Sequence, residues 1–238
     1  MDYEELNYQS AATRQAEVAA AFPALMRKVY VWMAFALVIT GFTAYLVATN
    51  ETLLTLIYTK PAVMWVMVGI ELAIVFGVSA AINKLSLPVA TLLFVLYAVI
   101  NGALFSSIFL VYTASSIATV FFITAGTFAA MSVYGYTTKT DLTSWGKILV
   151  MALIGLVIAT VVNLFVKSSG LDMIISYVGV LLFVGLTAYD TQKIKEMCMQ
   201  APDASEQMQK YALLGALSLY LDFINLFIYL LRILGKRE

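Results

Sequence analysis

The segment Ala216-Leu-Ser-Leu-Tyr-Leu-Asp-Phe-Ile-Asn-Leu-Phe-Ile-Tyr229 decides the fold class of this chain. It lies within the 21 residues that separate Lys210 from Arg232, and Asp222 is the twelfth of these and their only charged residue. About 20 apolar residues are enough for a helix to cross the roughly 30 Å hydrocarbon core of a bilayer. The segment therefore predicts a membrane-spanning helix with one carboxylate near its midpoint.

Polar residues of this helix recur at helical spacing, so that Ser218, Asp222, Asn225 and Tyr229 share one face. A charged acid at the centre of a bilayer costs about 2.5–3.5 kcal/mol on insertion scales, so it faces either the protein interior or a water path. Two interpretations stay open at this point. Asp222 is either a neutral, hydrogen-bonded packing residue or part of a path for protons or cations.

The composition agrees with a membrane protein, because 62% of the residues are hydrophobic and only 12% are charged. The net charge of zero gives no indication of a nucleic-acid partner. Histidine is absent, which excludes histidine-ligated metal sites and a histidine general base, and the single cysteine, Cys198, cannot form an internal disulfide. A response to pH near neutrality must then come mainly from carboxylates.

Charged residues divide the chain into apolar segments of membrane-spanning length. Because lipid offers no partner for backbone polar groups, these segments are predicted to be helices, giving an all-α integral membrane protein. We predict a polar cytoplasmic tail over residues 1–25 and a single transmembrane domain over residues 26–238. The predicted spans are residues 29–50, 61–83, two within 85–138 separated by a turn at 111–116, then 148–166, 173–192 and 211–231.

Lysine and arginine placement predicts the orientation of the spans. With the N-terminus in the cytoplasm, nine basic residues lie inside and five outside. Seven crossings then place the C-terminus outside, although its last residues are basic.

Three acids lie within the predicted spans, namely Glu71, Asp190 and Asp222. With no intramembrane base to neutralise them, they indicate a cation or proton path rather than structural ion pairs. Calcium prefers 6–8 oxygen ligands, and these acids with Asn225 supply too few for a tight cage. We therefore expect transient Ca²⁺ contact with the three acids, and no resident cofactor.

Two of these carboxylates at about 4 Å would repel each other by roughly 4 kcal/mol at an effective dielectric of 20, so they should share one proton around neutral pH. Counting from Lys193 and Lys210, however, Asp222 lies several residues deeper than Asp190. Pairing therefore requires the sixth span to extend beyond the membrane surface, or the seventh to start earlier.

Small residues four apart predict places where helices approach closely. The pairs are Ala125/Ala129, Gly126/Ala130 and Gly155/Ala159.

The motifs Gly185-Leu-Thr-Ala-Tyr-Asp-Thr-Gln-Lys-Ile194 and Ala216–Phe227 closely resemble the C-terminal signature of the Bax inhibitor-1 (transmembrane Bax inhibitor motif) family. The segments Met131-Ser-Val-Tyr-Gly-Tyr-Thr-Thr-Lys-Thr-Asp141 and Ile100-Asn-Gly-Ala-Leu-Phe-Ser-Ser-Ile-Phe109 resemble its bacterial branch. The similarity covers nearly everything after Arg27. It implies seven transmembrane helices, six wrapped around a central seventh, in a bacterial inner membrane.

The resemblance also implies a pH-sensitive calcium leak in which two aspartates latch the cytoplasmic mouth. By motif these are Asp190 and Asp222, and the acid of the second helix is Glu71. Relatives often carry an arginine near the end of that helix, where this chain has Ala81-Ile-Asn-Lys-Leu85. Asn83 or Lys84 is the candidate latch partner, although lysine lacks the two-pronged geometry of arginine. Thr187, Tyr189 and Tyr220 are candidate hydrogen-bond donors to the acids.

Two other functions remain as alternatives. Bacterial relatives that carry the loop Tyr134-Gly-Tyr-Thr-Thr-Lys139 are associated with a membrane-bound ATP-dependent protease, as substrate or regulator, and the N-terminal tail could be its handle. An intramembrane aspartyl protease is the remote alternative. Its second aspartate would follow a Gly-x-Gly motif, whereas Asp222 follows Leu219-Tyr-Leu221, so we predict a protein that is not an enzyme.

Overall fold

The computed structural model describes residues 3–237, with side chains from residue 20 onward. Within that range the chain is almost entirely α-helical, and its only β pairing is an isolated bridge between Tyr112 and Arg237. The helices are α1 (Tyr3–Ala48), α2 (Glu51–Tyr58), α3 (Pro61–Ala81), α4 (Leu87–Phe105), α5 (Ile108–Val111), α6 (Ala114–Thr137), α7 (Thr143–Val166), α8 (Ser169–Met199) and α9 (Glu206–Leu234).

Seven stretches of this chain are long and apolar enough to cross a membrane. They are the second part of α1, the run of α4 and α5 taken together, and the whole of α3, α6, α7, α8 and α9. The predicted fold class is therefore confirmed. The structure adds the short helix α2 between the first two spans, which the sequence analysis did not predict.

Local sequence signals explain where several helices begin. Pro61 occupies the first turn of α3, where the missing proline N–H costs nothing. The predicted turn at residues 111–116 is present, and there the backbone N–H of Ser116 donates to the Thr113 hydroxyl at the start of α6. Lys167 has φ of 52°, the left-handed conformation that ends α7 before α8 begins.

Helices α8 and α9 are longer than the spans predicted for them, with 31 and 29 residues. The sixth predicted span ended at residue 192, whereas α8 continues for seven further residues, or about 10 Å. The seventh predicted span began at residue 211, whereas α9 begins at Glu206. Both extensions adjoin the connection at residues 200–205, so they lie on the same side of the bundle.

The last helix lies at the centre of the bundle, as the resemblance implied. Helix α9 packs against α8, α1, α6 and α4. Its apolar side chains include several that are almost completely buried, such as Leu213, Leu219, Tyr220 and Leu226. Helices α3 and α7 occupy outer positions, where α3 packs against α4 and α7 against α8.

Helix α9 crosses the whole bundle. Near its first turn, the Lys210 ammonium donates to the carbonyl oxygen of Leu85, between α3 and α4, at 2.9 Å. Beyond its last turn, the carbonyl oxygen of Lys236 accepts from the Thr113 N–H, between α5 and α6, at 3.1 Å. These connections lie at opposite ends of α4, so α9 runs the full length of the bundle.

Close approaches between helices occur at glycines other than those predicted. At Gly126 and Gly155 no neighbouring atom lies within 4 Å of the position that a Cβ would take, so the predicted spacing there does not mark a helix contact. A Cβ at Gly135 would instead collide with the Ala188 carbonyl oxygen of α8, and one at Gly102 would lie 2.5 Å from the Thr40 carbonyl oxygen of α1. At these two glycines the prediction was wrong, because spacing along a helix does not tell which face meets a neighbour, whereas Ala125 of the third pair does pack against the buried core.

Candidate functional site

A cavity of about 580 Å³ lies beside α9, and its walls come from α3, α4, α7, α8 and α9. All four residues predicted for the gate and the ion path line it: Glu71, Asp190, Asp222 and Asn225. They are drawn from α3 and from the consecutive helices α8 and α9, which lie far from α3 in the sequence. The fold therefore collects the intramembrane acids around one space.

Asp222 is the most buried of these acids, with only 4% of its surface exposed. Its Oδ2 atom has no hydrogen-bond partner within residues 3–237. Asp190 reaches the same region from α8, near enough for the two carboxylates to interact directly through their charges. The pairing implied by the resemblance stays a prediction, and both acids line the same cavity, as that pairing requires.

Glu71 approaches the cavity from the middle of α3 and is partly buried. Its Oε1 atom also lacks a hydrogen-bond partner in the described part of the chain. The side chain of Asn101 on α4 lies beside the Glu71 carboxylate, and its amide nitrogen donates to the Tyr97 hydroxyl at 3.2 Å.

The unpartnered buried atoms of the described side chains are all acceptors: Glu71 Oε1, Asn101 Oδ1 and Asp222 Oδ2. A buried polar atom left without a partner costs about 1–3 kcal/mol, and more when it is charged. Protons, water or a cation could each supply what these oxygens lack.

A second cavity, of about 460 Å³, continues along α9 towards its first turns. Ser79 and Tyr211 line it, whereas Glu71 and Asp222 do not. The two cavities meet at a partition, which we define as the residues that line both: Val75, Asp190, Lys193, Ser218 and Leu221.

Together the two cavities follow α9 from Tyr211 to Tyr229. Eighteen helical steps correspond to about 27 Å, close to the roughly 30 Å thickness of the hydrocarbon core. The partition lies between the two cavities, and Asp190 is its only acidic member.

The predicted latch partners do not reach the acids. Asn83 accepts a hydrogen bond from the Tyr211 hydroxyl at 2.8 Å, Lys84 is exposed, and neither residue lines either cavity. The nearby positive charge is Lys193, which interacts with Asp190 and lies over the Tyr189 ring at 5.9 Å. The sequence analysis missed this role, although a spacing of three residues on one helix was the available signal.

Two of the hydrogen-bond donors proposed for the acids are engaged elsewhere. Thr187 donates to the carbonyl oxygen of Phe183 in its own helix. The Tyr220 hydroxyl shares a hydrogen bond of 2.7 Å with Thr40 on α1. Both residues therefore hold helices in place and leave the carboxylates without direct donors from these positions.

The three acids do not converge on one point. Across residues 3–237, no group of three acidic or cysteine side chains has the spacing to hold a metal ion. They instead line one cavity, with Asp190 at the partition and Glu71 on α3.

Fold and site together define a multi-pass α-helical membrane protein with an acidic internal cavity. The sequence model of the family described as inhibitor of apoptosis-promoting Bax1 matches residues 23–238. The inner membrane protein YbhL of Escherichia coli is 50% identical over 214 residues, covering 90% of this chain and 92% of that protein. A protein of Borreliella burgdorferi is 47% identical over 213 residues, and a membrane protein of Streptococcus pyogenes serotype M3 is 38% identical over 213 residues. These two matches cover 90% and 89% of this chain, and 92% of each relative. The chain belongs to the Bax inhibitor family.

Proposed function

We propose that this protein is a pH-sensitive leak for cations, with calcium as the permeant ion, in a bacterial inner membrane. The observation that carries the proposal is the cavity that Glu71, Asp190 and Asp222 line together. Two of these three carboxylates present buried oxygens that lack a partner in the described structure. Acids without a counter-ion in a low-dielectric interior attract either protons or metal cations.

Calcium suits this lining because it is a hard cation that binds carboxylate and amide oxygens. Conduction requires sites attractive enough for an ion to enter and weak enough for it to leave. Single acids placed in succession along α9 and α3 meet that requirement better than a closed cage does. Asn225 adds an amide beside Asp222, with its nitrogen bonded to the Leu221 carbonyl oxygen.

The partition supplies the gate. Asp190 borders both cavities and interacts with Asp222, so a proton shared by the two carboxylates holds α8 and α9 together at this level. A change in the protonation of the pair alters the force between the two helices. Displacement of the apolar partition residues Val75 and Leu221 then joins the cavities into one path.

The test is calcium flux into proteoliposomes that contain the Asp222→Asn protein. Asparagine keeps the shape of aspartate and removes both its charge and its titration, so we expect flux to fall by about tenfold or more and to lose its dependence on pH. The matched control is Asp203→Asn, which changes an exposed acid in the loop before α9. Equal, pH-dependent flux from wild-type and Asp222→Asn proteins at equal reconstitution levels contradicts the proposal.

The other expectations stay predictions of the sequence and the resemblance. They are a cytoplasmic N-terminus, an external C-terminus, the absence of enzymatic activity, and association with a membrane-bound ATP-dependent protease. The last concerns mainly residues 1–25, most of whose side chains lie outside the described part of the chain.

A further inference from the structure

The acidic cavity has an opening in the side of the bundle. Helix α3 packs against α2 and α4, while α7 packs against α8, and the two outer helices share no extensive packing interface with each other. Both nevertheless line the cavity. The wall that they form between α4 and α8 is therefore incomplete, and we call this gap the α3–α7 opening.

The rim of the α3–α7 opening is apolar and exposed. On α3 it consists of Leu72 and Phe76, which are 54% and 69% exposed, and on α7 of Val150 and Val157, which are 48% and 54% exposed. All four lie within membrane-spanning segments, and Leu72 and Val157 are near the middle of theirs. The opening therefore faces the hydrocarbon of the bilayer rather than either aqueous side.

The deepest part of the cavity, beside Asp222, has no positively charged side chain among the described residues that line it. Asp222 is 4% exposed with Oδ2 unpartnered, and Glu71 Oε1 is unpartnered as well, within the residues that the structure describes. Lys193, the only basic residue that lines the cavity, lies at the partition and is itself exposed. A cation arriving through the opening meets carboxylate oxygens that have no other partner.

A molecule that reaches this site from the bilayer must satisfy two conditions. It must dissolve in hydrocarbon, where a small hydrated ion is too costly, and it must carry positive charge. Organic cations whose charge is surrounded by apolar groups meet both conditions. The volume of about 580 Å³ lies within the 300–1,000 Å³ of ordinary small-molecule sites.

We propose that the cavity is a binding site for hydrophobic organic cations that enter from the bilayer through the α3–α7 opening. Their charge lies toward Glu71 and Asp222, and their apolar groups lie against the rim. The proposal shares a cavity with the leak but does not rest on it, since a cavity that binds such cations need not conduct calcium. Where the leak operates, bound organic cation blocks it.

The experiment measures binding of radiolabelled tetraphenylphosphonium to the full chain in lipid nanodiscs, with empty nanodiscs subtracted. We expect saturable binding to the wild-type protein and affinity weakened by about tenfold or more in Glu71→Gln and in Asp222→Asn, because a carboxylate in a low-dielectric cavity attracts a cation strongly. The control Asp203→Asn should bind like the wild type. Binding by both cavity variants that equals that of the wild type overturns the proposal.

Two tryptophan substitutions on α7 test the route of entry. Val157→Trp places a large ring at the rim, whereas Val161→Trp places the same ring one turn away, at a residue that is 49% exposed and does not line the cavity. We expect the association rate to fall severalfold in Val157→Trp alone. Both substitutions lie on the bundle surface and should leave folding intact. Equal association rates in the two variants overturn entry through the α3–α7 opening.

Calcium flux measured in proteoliposomes made from the same purified proteins separates this proposal from the leak. Saturable, carboxylate-dependent binding in a preparation without calcium flux supports the binding site and contradicts the leak. Calcium flux that tetraphenylphosphonium does not affect, together with no saturable binding, supports the leak and overturns the binding site.

Discussion

Asp190 on α8 borders both cavities of the bundle, whereas its electrostatic partner Asp222 on α9 lines only the larger one. The two acids therefore have different positions on the proposed path, although they belong to one pair. Asp190 lies at the partition, where movement changes the connection between the cavities. Asp222 lies beyond the partition, at the position where we propose that a permeant ion binds.

This difference predicts distinct phenotypes for the two acids. Asp190→Asn should keep calcium flux within about threefold of wild type but lose its pH dependence, because a carboxylate and an amide do not form the coupled pair that holds a shared proton. Flux is measured in proteoliposomes between about pH 5.5 and pH 8. The control on the same helix is Asp172→Asn. It removes the 3.2 Å ion pair between Asp172 and Arg232, and we expect it to leave both calcium flux and its pH dependence unchanged. A pH profile of Asp190→Asn that superimposes on that of the wild type contradicts the gate.

Because α6 contacts α8 at Gly135 and no neighbour at Gly126, we predict that alanine substitutions at these two glycines differ strongly in their effect on stability. Gly135→Ala places a methyl group against a backbone oxygen of Ala188, well inside van der Waals contact, so one helix must shift, at a cost of about 1–3 kcal/mol in stability. Gly126→Ala adds the same methyl group where nothing lies within 4 Å, and its better helix propensity should leave stability unchanged or raise it by up to about 1 kcal/mol. Thermal unfolding of both variants in detergent is the measurement. Equal midpoints show that the α6–α8 interface is not as tight as described.

Chemical labelling tests the predicted orientation. Lys84→Cys lies after α3 and Lys236→Cys after α9, at opposite ends of the bundle. The native thiol of Cys198 is only 1% exposed and contributes little background. With the N-terminus in the cytoplasm, a membrane-impermeant maleimide added to intact spheroplasts should label Lys236→Cys and spare Lys84→Cys until the membrane is broken. The reverse labelling pattern would mean that every span has the opposite orientation to the one predicted.

In the loop before α7, outside the membrane-spanning helices, a hydrogen bond to Asp141 depends on the ionisation of its carboxylate. The hydroxyl and backbone N–H of Thr143 hold the pKa of Asp141 below its usual value, and the N–H donates to Oδ1 at 2.8 Å. Because the pKa is lowered by folding, the stabilisation is present above the ordinary aspartate pKa of about 3.9 and is lost as pH falls through the lowered value. Thr143→Val should raise the pKa of Asp141 towards the ordinary value, as measured by carboxyl NMR titration. Asp203, whose pKa is lowered by Ser205 in another loop, is the internal control.

Patterns along the chain were sufficient to find the spans and the acids within them. Charges at the ends of apolar segments located most of the spans, the length of the uncharged segment 85–138 required a turn within it, and the three intramembrane acids proved to line one cavity. The same patterns failed for Asn83, Lys84 and the two small-residue pairs that contain glycine. In those cases the outcome depended on the direction in which a helix presents its side chains to a neighbour, which no spacing within one helix records.

The sequence by itself determined that this protein is a bundle of membrane-spanning helices with carboxylates at mid-depth, because hydrophobicity and charge act locally and lipid forbids unpaired backbone. Only the tertiary structure decided that Glu71, Asp190 and Asp222 line one cavity, and that the outer helices α3 and α7 both contribute to its wall. These relationships arise from packing between different helices. Their energies depend on which surfaces fit together, and that information is distributed over the whole molecule.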